Sequence, residues 1–133
     1  MKLDSHILIL LFTGIFFSIL FIQSGLDKVF DWKGELTFNE EHFSKTFLKP
    51  FVPIMLAVLT SMELASGFLS LTGLIYIWKT GETIVSFYAG CLCATTFLFL
   101  FFGQRISKDY GGAQALVSYF IVSLIAIYFC FPG

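Results

Sequence analysis

Residues 21–32 read FIQSGLDKVFDW, the point at which a long apolar run ends in polar and charged groups. The run behind it, from about Ile7 to Val29, can cross a hydrocarbon core roughly 30 Å thick at about 1.5 Å rise per residue. Lys2 precedes the run, but the run is too long for the apolar core of a signal peptide. It also passes into Asp27, Lys28 and Asp31 without a small-x-small cleavage site, so it reads as a retained span. Trp32 suits an interfacial anchor and leaves Lys28 about one turn inside it, able to reach outward or turn inward. Gly14, Ser18 and Gly25 share one side of the predicted helix, where small residues let a neighbour approach closely.

The rest of the chain repeats this composition. Of 133 residues, 57% are hydrophobic, 19% aromatic and 13% charged, against roughly 25% charged in a soluble domain. Three further apolar windows give one all-α domain over residues 1–133, with spans at about 7–29, 54–77, 82–103 and 113–131. A net charge of −1 supplies no basic stripe for nucleic acid, so the expected partners are the lipid bilayer and other membrane proteins. Cys91, Cys93 and Cys130 lie in apolar runs and form neither a disulfide framework nor a zinc spacing. Cys91 and Cys93 point to nearly opposite sides of one helix, and all three cysteines read as small apolar fillers.

Between Lys33 and Pro50 the sequence turns polar. Residues 37–49, TFNEEHFSKTFLK, read as a short amphipathic helix lying at the interface, with Thr37 and Glu40 resembling a capping box. Phe43, Phe47 and Leu48 share its apolar side, Glu41 and Lys45 its polar side, and Pro50 and Pro53 stop it and start the next element. His42 reads as a surface residue, because the other histidine, His6, falls on the opposite side of the membrane. In the second span Gly67, Ser70 and Gly73 form a narrow stripe predicted to face the bundle. Lys79, Thr80 and Gly81 read as a tight turn into an antiparallel third span, which carries Ala89, Cys93, Thr96 and Gly103 along one side. Gly111 and Gly112 are predicted to break the chain before the last span.

This connectivity collects Gln23, Asp27, Lys28, Arg105 and Asp109 at one membrane face, with Glu63 deepest, about 15 Å along the second span. A carboxylate at that depth costs a few kcal/mol by insertion scales. The cost is avoided if the group is protonated or paired with a cation such as Lys28 or Arg105. The candidate polar cluster is therefore Gln23, Lys28, Glu63, Arg105 and Asp109, either holding the spans in register or forming a proton or ligand site for a group such as a quinone headgroup. It contains no nucleophile, metal-ligand set or haem-ligand pair, so no cofactor is expected to be held by the chain's own ligands. The long-loop face holds Lys28, Lys33, Lys45, Lys49, Arg105 and Lys108 against Lys2 and Lys79 on the other, and the positive-inside rule places it in the cytoplasm.

At these residues the chain resembles the DoxX family of small bacterial inner-membrane proteins, related to DoxD and MauE, over all four spans. The carriers are FIQSGLDKVF in the first span, MELASGFLSLTGL in the second and DYGGAQALVSYFIV at the start of the last. The family pattern corresponds here to Gly25, Lys28, Glu63, Gly67 and Gly73. The resemblance implies a multi-pass protein of the bacterial cytoplasmic membrane with both termini in the cytoplasm, the reverse of the Lys and Arg count. Its members are linked to a small subunit of thiosulfate:quinone oxidoreductase and to methylamine dehydrogenase maturation. This chain lacks the cysteines that a MauE-like thiol role would need.

The expectation is a four-helix transmembrane bundle with one short interfacial amphipathic helix in the first loop. It would serve as a small subunit or accessory protein of a larger inner-membrane complex, with Gly25, Gly67 and Gly73 as packing residues. The alternatives are a quinone-linked oxidoreductase subunit and a small proton-coupled transporter.

Overall fold

A computed structural model describes residues 3–131; Lys2, counted above among the charges of the far face, lies outside them. The described residues form α1 (Ser5–Phe30), α2 (Trp32–His42), a 3-10 turn (Lys49–Phe51), α3 (Val52–Thr80), α4 (Ile84–Ile106) and α5 (Tyr110–Cys130). Among them α1, α3 with the turn before it, α4 and α5 are long and apolar enough to cross a membrane. The protein is an all-α transmembrane four-helix bundle, as the apolar windows predict.

Local signals set the helix ends. Asp4 caps α1 by accepting a 2.9 Å bond from the Ile7 amide, and Asp109 caps α5 by accepting a 3.0 Å bond from the Gly112 amide. Lys79 and Thr80 complete the last turn of α3, and Gly81 ends it with φ of 75°, the left-handed conformation that only glycine adopts without strain. Gly111 and Gly112 do not break the chain; both fall in the first turn of α5, because the Asp109 cap begins the helix ahead of them.

The first loop also departs from expectation. Its helix starts at Trp32 rather than near Thr37, and Asp31 is the single joint between α1 and α2. The helix stops at His42, so Glu41 and Lys45 do not pair along it. The Thr46 hydroxyl donates to the Phe43 carbonyl at 2.9 Å and accepts from the Leu48 amide at 3.2 Å. Such local side-chain bonding competes with the helical ladder and turns the chain toward Lys49. Phe43 and Leu48 are buried with Val52, whereas Phe47 is exposed, so the three do not share a side.

The long helices are antiparallel neighbours in the order α1, α3, α4, α5, and two kinds of seam join them. In a membrane the lipid is as apolar as the helix surface, so association rests on close packing and interhelical hydrogen bonds. The α1–α3 and α3–α4 seams use small residues: a Cβ on Gly67 would lie 2.8 Å from the Ile22 backbone nitrogen, and one on Gly73 would lie 3.0 Å from the Ser86 Cα. The Ser66 and Thr96 hydroxyls meet at 3.0 Å across α3 and α4, and Thr96 donates onward to the Leu92 carbonyl at 2.8 Å. Thr96's proton is thus engaged and Ser66 is the donor between them. The seam closing α5 on α1 is aromatic instead. Phe17, Phe21 and Phe97 form a buried cluster of mutually tilted rings, with Phe21 and Phe97 centroids 4.9 Å apart, and Tyr119 stacks on Phe97.

Candidate functional site

The deep polar site joins α1 to α3. Lys28 Nζ donates to Glu63 Oε2 at 3.1 Å and to Ser24 Oγ at 2.9 Å. The Glu63 side chain is 2% exposed and that of Lys28 15%. Glycines flank the pair on both helices and permit the approach. Gly25 faces Leu64 and Gly67 faces Ile22, each so closely that a Cβ would collide. Lys28 thus turns inward from just below the interface, and its stem, packed along α1, brings the ammonium to a carboxylate that would otherwise stand alone. No buried side-chain nitrogen or oxygen lacks a partner among the described residues.

Below the ion pair the interior of α3 continues through Gly67, Ser70 and Gly73, all buried as the stripe predicts, and Ser66 is buried beside them. Ser70 Oγ lies 3.6 Å from Cys93 Sγ. Cys93 and Cys130 are buried and Cys91 is half-buried; all three are free thiols.

The other members of the predicted cluster do not join Glu63. Gln23 is exposed, because Phe21, Gly25 and Lys28 occupy the inward side of α1 and Gln23 lies out of phase with them. Arg105 is exposed and places its guanidinium 4.7 Å from the centroid of the Tyr110 ring, a cation–π contact. Asp109, besides capping α5, stands at a second polar site nearer the bundle end.

That second site is built by the ends of three helices, and the sequence did not single it out. His42, the last residue of α2, brings Nε2 to 2.9 Å from Ser107 Oγ, 3.4 Å from Gln104 Oε1 and 3.8 Å from Asp109 Oδ2. Ser107 Oγ also donates to the Gln104 carbonyl at 3.1 Å, which commits its proton. Acceptors therefore surround Nε2, an arrangement that suits an imidazole with its proton on that nitrogen. His42 also stacks on Phe38, with ring centroids 5.5 Å apart. His42 and Ser107 are 65 positions apart, so no local pattern announces their contact.

Beneath His42 opens a cavity of about 340 Å³, bounded by α2, the segment leading into α3, the first turns of α3, and α4. Its polar end is made by Asn39, His42, Gln104 and Asp109, and its depth by apolar residues that include Met55, Leu56, Leu59 and Phe99. Neither Lys28 nor Glu63 lines it. No group of three or more His, Cys, Asp or Glu residues suited to a metal occurs among the described residues. Comparison with family models, with curated proteins and with solved structures finds no match to this chain.

Proposed function

We propose that this chain is a small integral subunit or accessory protein of a larger complex in the bacterial cytoplasmic membrane, of the kind its DoxX-like motifs suggest. The observation that carries the reading is the closed state of the ion pair: Glu63 is 2% exposed and bonded to Lys28, so the most costly polar group is spent on joining α1 to α3. Large apolar side chains cover the outside, among them Phe12, Ile19, Phe68 and Phe102, and they suit lipid and a neighbouring membrane subunit equally.

The quinone-linked oxidoreductase and the proton-coupled transporter both need Glu63 to be reached from outside. The carboxylate is enclosed and separate from the cavity, which favours the packing role over either. Gentle detergent extraction at native expression, followed by native mass measurement, partner identification and a visible spectrum, tests the reading. Co-purification in a defined larger assembly is the expected result. A lone chain carrying bound quinone, or one whose Glu63→Gln variant loses turnover with assembly intact, would overturn it.

A further inference from the structure

We infer that the cavity beneath His42 is a binding site for a single-chain amphiphile with an uncharged, hydroxyl-bearing head, drawn from the surrounding bilayer. The inference does not depend on membership in a complex. The cavity volume, about 340 Å³, falls within the range of small-molecule sites, roughly 300 to 1,000 Å³. Its two ends differ in chemistry. The apolar wall on α3 runs from Val52 to Leu59, roughly 10 Å along the helix axis, inside a segment that can cross the membrane. A short acyl chain matches that depth, and a bilayer supplies such chains at the same level.

The head is selected by what stands at the mouth. His42 and Asp109 are the ionisable residues lining the cavity among those described, and no Lys or Arg is with them. Asp109, with a side chain 39% exposed, offers a carboxylate oxygen to a donor. The amides of Asn39 and Gln104 line the same cavity, and Asn39 uses one N–H on the Glu35 carbonyl at 2.8 Å, which leaves its second N–H as a donor. A hydroxyl can donate to Asp109 and accept from an amide, so a glycerol-type head satisfies both. A carboxylate or phosphate head would meet Asp109 as a like charge with no Lys or Arg among the lining residues to offset it. The site therefore admits a monoacylglycerol and rejects the fatty acid of equal length.

The test is equilibrium binding to the full chain reconstituted in phosphatidylcholine nanodiscs freed of detergent, with radiolabelled 1-decanoylglycerol as the probe and decanoate as competitor at pH 8. One saturable site per chain is expected, with decanoate weaker by roughly tenfold or more. Leu59→Trp, which fills the apolar depth, should weaken binding at least about tenfold. Met55→Trp serves as a second filling variant should the first fail to yield monodisperse protein. Asp109→Asn keeps a side chain able to cap α5 and removes the charge, and should bring decanoate to within about threefold of the glycerol ester. Absence of saturable binding, the result expected if an apolar side chain of a protein neighbour fills the cavity instead, would overturn the inference. So would equal binding of both probes to the unsubstituted chain, or selectivity left unchanged by Asp109→Asn.

Discussion

The molecule carries two polar sites on the same half of the bundle, and they differ in depth and closure. Lys28 and Glu63 meet inside the helix bundle, flanked by glycines, and neither lines the cavity beneath His42. His42, Ser107, Gln104 and Asp109 meet where three helices end, partly open to solvent, over a cavity of about 340 Å³. The deep site holds the more costly charges, yet the shallow one has room for another molecule. A buried charge in a membrane marks something that must be satisfied; here a neighbouring helix satisfies it. Free volume, not the cost of the group, separates a binding site from a fastening.

The largest expected effect breaks the deep site. Lys28→Met alone leaves the Glu63 carboxylate without its cation and should cost about 3–5 kcal/mol, read as a lower thermal midpoint or lost monodispersity in detergent. The double variant Lys28→Met with Glu63→Met removes both charges and should recover most of that loss. If the double variant is stable but biologically inactive, the pair does more than fasten α1 to α3.

Next comes Gly67→Ala, whose methyl group would lie 2.8 Å from the Ile22 backbone nitrogen, an atom that cannot swing aside. The helices must part, at a cost of about 1–3 kcal/mol by denaturation in detergent. Gly111→Ala is the control: nothing lies within 4 Å of its Cβ position, and it should be neutral or slightly stabilising. Equal losses at both positions would remove the argument that glycines bring the ion pair together.

The shallow site should respond more mildly. His42→Ala breaks the contact with Ser107 and should cost about 0.5–1.5 kcal/mol, with the four spans intact by circular dichroism. A loss as large as that of Lys28→Met would make the two sites structurally equivalent. Smallest is Ser66→Ala, which removes the hydroxyl bond to Thr96 and should cost roughly 0.6 kcal/mol, the average for such bonds between membrane helices.

The sequence already contained the four spans, because a window of about 20 apolar residues has few other uses. It also contained the inward stripe of Gly67, Ser70 and Gly73 and the need of Glu63 for a partner, since both follow from helical periodicity and the cost of a charge in hydrocarbon. Lys28 was legible as one candidate cation, but its choice over Arg105 was not. Lys28 sits in phase with Gly25 and Phe21 on the packed side of α1, whereas Arg105 leaves α4 on the outer side and finds Tyr110. The start of the loop helix at Trp32 depended on a continuous backbone through one joint residue, Asp31, which a capping-box pattern at Thr37 obscured.

By itself the sequence determined that the chain is a helical membrane bundle with a small-residue interior, because those properties are sums over local periodicity and composition. Only the tertiary structure decided which polar groups meet and where space remains. His42 and Ser107 lie 65 positions apart, and their contact and the cavity below depend on where three helices end relative to one another. Helix ends are set by caps and side-chain competition of about a kcal/mol each, and a shift of one turn there would separate the groups altogether.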